Sequence, residues 1–187
     1  MLDETILTSL EAEFRRYKAL AEAAISQLSA EDLGQPGPGE GNSVAVLAWH
    51  VAGNLASRFT DFLVSDGEQP WRERDAEFER RTPTQQELLQ EWERGWNALF
   101  ESLSSLSADQ LEDTVLIRGT ELRVHAALHR SLSHVSYHVG QIVYVARTLR
   151  GSRWKCLSIP PGGSQAYNQD PTNELPAAHT SSLKDSP

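Results

Sequence analysis

Cysteine is nearly absent: Cys156 is the only one in 187 residues. No intrachain disulfide can form, so stability must come from core packing, with or without a bound metal. That thiol stands in a polar stretch outside the helical segments, where it is read as incidental and not catalytic. Long apolar runs are missing too. None approaches the ~20 residues that a helix needs to cross a bilayer, and the opening MLDETILTSLEAEF carries acids where a secretory signal would carry a basic stretch. A cytoplasmic location with no membrane partner is the resulting expectation. Basic charge is in deficit as well. Lys and Arg number 17 against 26 Asp and Glu, a formal net charge of -9, and the two signs are interspersed. Such a surface is not built to coat phosphate backbones, so no nucleic-acid partner is expected.

What remains is the composition of one ordinary globular domain, 39% hydrophobic and 23% charged. From Asp3 to about Leu28, Ile6, Leu10, Phe14, Tyr17, Ala21, Ala24 and Leu28 recur every three or four positions, which predicts an amphipathic helix. GQPGPGEGN is a loop by its Gly and Pro content, and Asn42 and Ser43 are N-cap types opening a second helix to about Val64. SDGEQPWRERDAEFERRTP, from Ser65 to Pro83, is charged and long for a helix connection, and its stretch from Arg72 to Arg81 reads as a solvated loop. Thr84 caps a third helix, whose stripe of Leu88, Trp92, Trp96, Leu99 and Leu103 anchors the core through about Leu106. Val115 to Arg118 is a short extended piece. A fourth helix runs from about Arg123 to Leu149, with Gly151 as its stop.

After Gly151, Trp154, Leu157 and Ile159 can pin an extended strap onto the bundle. Beyond Pro160 few apolar residues offset the entropy of ordering the chain, so a flexible polar tail is expected over 161–187, with the bundle and its strap over 1–160. His179 falls in that tail and is set aside as a ligand.

The chemistry concentrates on histidine. His134 and His138 are four residues apart in the last helix, so their side chains share a face roughly 6 Å apart on adjacent turns. His50 borders the apolar stripe of the second helix as they border theirs. Three imidazoles on matching helix edges can grip a transition metal and leave coordination positions open, whereas a closed structural zinc site would take four ligands and often cysteine. An HxxxH pair alone is equally a pair of hydrogen-bonded residues at the core edge, and His125 with His129 is a second such pair. Nine positions separate His125 from His134, about two and a half turns, which points the second pair elsewhere, to a surface or substrate-rim role. Asn54 and Gln141 lie one turn from His50 and His138, placed to bond a ligand imidazole, a substrate or a neighbouring helix. Tyr137 as proton donor and Arg58 and Arg147 as carboxylate anchors are further candidates to line the cleft; each also has a structural reading.

Taken together, WHVAGNLASRFTDFL, SDGEQPWRERDAEF and HVSYHVGQIVYVAR resemble the DinB/YfiT-like superfamily, and WKCLSIPPGG is similar to its uncharacterised bacterial branch. The resemblance covers about Leu2 to Gly163. It implies an all-α four-helix bundle with a long connection between helices two and three, and an extended C-terminal segment. It further implies that His50, His134 and His138 hold one divalent transition metal (zinc, nickel or iron) and that the chain forms a homodimer. Members of the superfamily include transferases and isomerases that use bacillithiol or mycothiol, and hydrolytic enzymes. The function implied is activation of a low-molecular-weight thiol or of water for attack on a small electrophile, with Asn54, Arg58, Tyr137 and Gln141 as substrate-binding candidates. The alternative is a dimeric, non-catalytic metal- or ligand-binding stress-response protein, favoured by the lack of an unambiguous general base near the triad.

Overall fold

The computed structural model describes residues 2–184, with the backbone alone for residues 2–4. Four long helices make an all-α bundle: α1 (Leu2–Ile25), α3 (Val44–Phe59), α4 (Gln85–Ser105) and α5 (Val124–Arg150). A short α2 (Ala30–Gly34) follows α1, a hairpin of β1 (Thr114–Ile117) and β2 (Thr120–Arg123) precedes α5, and α6 (Ser164–Tyr167) and α7 (Pro176–Lys184) follow it. Among the described residues no helix is long and apolar enough to cross a membrane.

The predicted helix starts are capped as their side chains allow. The Ser43 hydroxyl accepts the Val46 N–H, and Thr84 forms a reciprocal capping box with Glu87. Ser29 forms a capping box with Asp32 at the start of α2, and further on the Ser107 N–H and hydroxyl both donate to the Gln110 side-chain oxygen. α3 packs most extensively on α4, α1 on α5, and α3 also meets α5. Trp92 and Trp96 are fully buried between them with Phe14, whose ring meets Trp96 edge-on at 6.4 Å. The Trp92 indole N–H escapes an unpaired burial by donating to Glu22, 3.2 Å away. α3 and α4 touch backbone to backbone at Gly95, where a Cβ would stand 2.6 Å from Ala52 Cα.

Two expectations need correction, and the extended piece at Val115 is borne out with a partner added. The second helix stops at Phe59, not near Val64: Thr60 is extended and Asp61 left-handed at φ 54°. Phe62 still reaches the core from the ensuing turn and packs on Phe59 at 5.0 Å, so the apolar periodicity outlasts the helix. The extended piece at Val115 pairs with β2 as a hairpin, its two-residue turn at Arg118 and Gly119 having φ of 52° and 72°, the signs of a type I′ turn. Beyond Pro160 the chain is not structureless. α7 begins at a proline, a residue suited to a helix start, and lies along α1, burying His179 and Leu183. The segment's few apolar residues suffice because α1 offers them a face to cover.

The strap between α5 and α6 is fastened by side chains acting as a backbone partner. Gln27 accepts from the Lys155 N–H at 2.8 Å and donates to the Lys155 carbonyl at 3.1 Å. Leu157 is buried, Trp154 half-buried and Ile159 exposed, so two of the three expected pins engage. The imidazole Nε2 of His179 bonds the Leu157 carbonyl at 2.9 Å, tying α7 to the strap.

Candidate metal centre

His50 comes from the middle of α3 and is 4% exposed; His134 and His138 stand half-buried on α5. Where α3 crosses α5 the three rings meet, with centroids 5.2 Å apart for His50 and His134, 4.8 Å for His50 and His138, and 4.5 Å for His134 and His138. One ring nitrogen from each lies within 4.8 Å of the others. The Nε2 atoms of His50 and His134 are 3.2 Å apart. Two ligands at ~2.0–2.1 Å from one ion at a tetrahedral angle stand roughly 3.3 Å apart, so that spacing suits a shared ion.

Proton placement supports the same reading. His50 Nδ1 is 2.8 Å from a Glu77 carboxylate oxygen, which can only accept, so His50 carries its proton on Nδ1 and turns the Nε2 lone pair inward. His138 does likewise, donating from Nδ1 to the Gln141 side-chain oxygen at 2.8 Å. An inner-facing lone pair on each of two helices is what a cation requires and what an apolar core would not assemble. The chemistry of the donor set fits zinc, nickel or iron, all of which take neutral imidazole. Among the described residues, His134 Nδ1 is buried without a partner.

Glu77 arrives from the long α3–α4 connection, on a single 3-10 turn over Asp75–Phe78. It is buried, and its two oxygens accept from Arg72 Nε at 2.8 Å and Arg72 Nη2 at 3.0 Å as well as from His50. Phe78 beside it lays its ring against His50, centroids 4.6 Å apart. Gly53 makes the approach possible: a Cβ there would stand 2.9 Å from the Glu77 carboxyl carbon. The stretch expected to be a solvated loop therefore supplies the group that orients one of the three histidines. Burial opposes ionisation of Glu77, but its bonds to His50 and Arg72 outweigh this and hold its pKa below the usual value. Burial, followed by the neighbouring His138 and His50, pushes His134 down to about 3. Burial also lowers His138, with His50 adding to the effect and the Gln141 bond opposing it. His134 and His138 are therefore neutral at physiological pH, the form that ligates.

Residues 2–163 match the model of DUF1572, a family described as a protein of unknown function. The chain belongs to the DUF1572 family. That family lies within the DinB-like clan, so the resemblance read from the motifs holds at the level of the clan. Neither the comparison with curated proteins nor that with solved structures gave a match. The region shared with DUF1572 runs from α1 through the strap; it contains all three histidines and Glu77 and ends before α6.

Within this DUF1572 chain the remaining candidates divide. Gln141 bonds His138, and its amide N–H reaches the Tyr137 hydroxyl at 3.4 Å. Tyr137 is exposed and meets the His138 ring edge-on at 4.9 Å. Asn54 is half-buried one turn after His50. Arg58 is placed differently from expectation. Its guanidinium is buried against the start of the connection, 3.4 Å from the Asp66 carbonyl and 3.6 Å from Glu68, so it fastens that segment and does not anchor a carboxylate at the histidines. His125 bonds the Leu111 carbonyl and His129 the His125 carbonyl, both serving the start of α5 as helical phase required. Glu77 and Arg72 were missed because a charge run looks alike in solvent and in a core; the clue was Ala76 and Phe78 flanking Glu77 in an otherwise polar stretch.

Proposed function

We propose that this protein is a metal-dependent enzyme in which His50, His134 and His138 hold one divalent ion and activate a low-molecular-weight thiol, or water, for attack on a small electrophile. The observation that carries this is the convergence of three imidazoles, two of them with their outward nitrogens pinned by Glu77 and Gln141. Held by these three histidines, a divalent ion would supply Lewis acidity, lowering the pKa of a thiol or water and polarising an electrophile.

The chain's own residues then set the geometry. Glu77, itself locked by Arg72 and Gly53, fixes the plane and tautomer of His50; Gln141 does so for His138. Phe78 covers one face of His50 and keeps water from it. The Tyr137 hydroxyl accepts from Gln141 and retains its own proton for a substrate oxygen or leaving group. Asn54 and Gln141 offer amides to the substrate at the two helix edges. The enzyme acts as a homodimer on a small molecule, without nucleic acid. Metal-loaded protein supplied with bacillithiol or mycothiol and common electrophiles should give turnover that His50→Ala abolishes. Metal binding with no turnover across such a screen would favour the non-catalytic alternative.

A further inference from the structure

Beside the metal centre lies a cavity of about 500 Å³ that none of the three histidines lines. Its walls include Pro38 and Asn42 from the loop before α3, and Tyr137, Gly140, Gln141 and Tyr144 from α5. In a chain that is 23% charged, none of its lining residues carries a formal charge. The α5 residues occupy one helical face. Tyr137 and Tyr144 are 63% and 62% exposed, high for such large side chains, and are seven residues or roughly 10 Å apart along the axis. Midway between them, Gly140 would meet none of the described residues within 4 Å if it bore a Cβ, so the floor is open. The opposite wall is braced. Gly37 and Gly41 exchange backbone hydrogen bonds of 3.0 and 3.2 Å, and a Cβ on Gly37 would come 3.1 Å from Val145 on α5.

We infer that this cavity is the subsite for the non-reacting part of the substrate, and that this part is an uncharged planar ring system lying over Gly140 with Tyr137 and Tyr144 at its ends. The gap between the tyrosines accommodates one ring or two fused rings, and the volume falls in the range of small-molecule sites, roughly 300–1,000 Å³. Aromatic walls favour a flat ligand through offset or edge contacts. An ionised group would find no countercharge among the residues that line it. The subsite joins the metal centre through shared side chains, since Gln141 and Tyr137 line the cavity while contacting His138. Binding energy gained there would hold the reactive end at the histidines. The substrate role rests on the metal-dependent reading; the ring-binding cavity does not.

The test titrates the full-length protein with naphthol, and separately with the anionic naphthoate, at neutral pH by calorimetry, measuring metal content on the same samples. Naphthol should bind, naphthoate at least tenfold more weakly. Gly140→Leu fills the floor with a better helix former, so it should weaken naphthol at least tenfold while metal content and melting temperature are kept. Equal affinity for both probes, no naphthol binding to the wild type, or wild-type affinity in Gly140→Leu would each overturn the inference. So would a wild-type dimer that Gly140→Leu dissociates, which would make a second copy the occupant. Naphthol binding by a protein that takes up no metal would sink the metal reading and keep the cavity.

Discussion

Glu77→Gln removes a charge but almost no volume from a carboxylate that accepts three hydrogen bonds, one from His50 and two from Arg72. An amide has one oxygen, so its NH2 must face a donor. Pointed at Arg72, it leaves the guanidinium, 3% exposed, without its countercharge. Pointed at His50, it invites the ring to move its proton to Nε2, the nitrogen that should ligate. The outer carboxylate of a histidine ligand is typically worth 10–100-fold in metal affinity, about 1.4–2.8 kcal/mol. Breaking the buried pair should further reduce stability by on the order of 3 kcal/mol. Competition with a chromophoric chelator for zinc measures the first quantity and thermal melting of the metal-free protein the second. Gly53→Ala is the companion, because its Cβ would occupy the space of the Glu77 carboxyl group and should weaken the metal similarly. If Glu77→Gln is folded and binds zinc with wild-type affinity, Glu77 does not orient His50 for a metal.

The same Gly→Ala exchange should have opposite signs at two helical sites. At Gly95 the new methyl meets the α3 backbone and should destabilise by roughly 1–3 kcal/mol, whereas at Gly140 it enters open space and should stabilise by about 0.5–1 kcal/mol, both read by chemical denaturation. Because His134 titrates at about 3 in the folded chain and near 6.5 unfolded, the unfolded chain binds the extra proton between those values. Metal-free protein should therefore be fully stabilised by this group above about pH 6.5 and lose that contribution as pH falls towards about 3, with a shallower slope in His134→Ala; a stability that rises on acidification would contradict the burial of this ring. Ending the chain after Leu175 removes the buried His179 and Leu183; at roughly 2 kcal/mol for the two side chains the melting temperature should fall by about 4–8 °C, and an unchanged value would mean that α7 contributes nothing.

The helices and the His134/His138 pair were legible because each rests on a short-range rule. Ser43 and Thr84 cap where side-chain oxygens reach the next turn, Trp92 and Trp96 share a face, and His134 and His138 cannot avoid being neighbours on a helix. His50 stood out at the edge of an apolar stripe, but its meeting with a pair 84 residues away was implied by the family resemblance and not by any local pattern. The long-range partners were not legible. Whether Glu77 faces solvent or His50 depends on how the connection folds back over Gly53, a contact between residues 24 apart that no local pattern encodes. Arg58 misled for the matching reason: its helical phase allowed a cleft, and the returning chain at Asp66–Glu68 claimed it instead. The docking of α7 on α1 similarly depends on a face exposed only once the bundle has assembled.

Metal content of protein purified without an affinity tag, compared between wild type and His138→Ala, bears most directly on the central claim. The three-histidine site requires about one zinc, nickel or iron ion per wild-type chain and its loss in the variant, with helical content retained. Equal metal content in the two proteins, or a wild type that takes up no divalent ion when supplied with one, would contradict it.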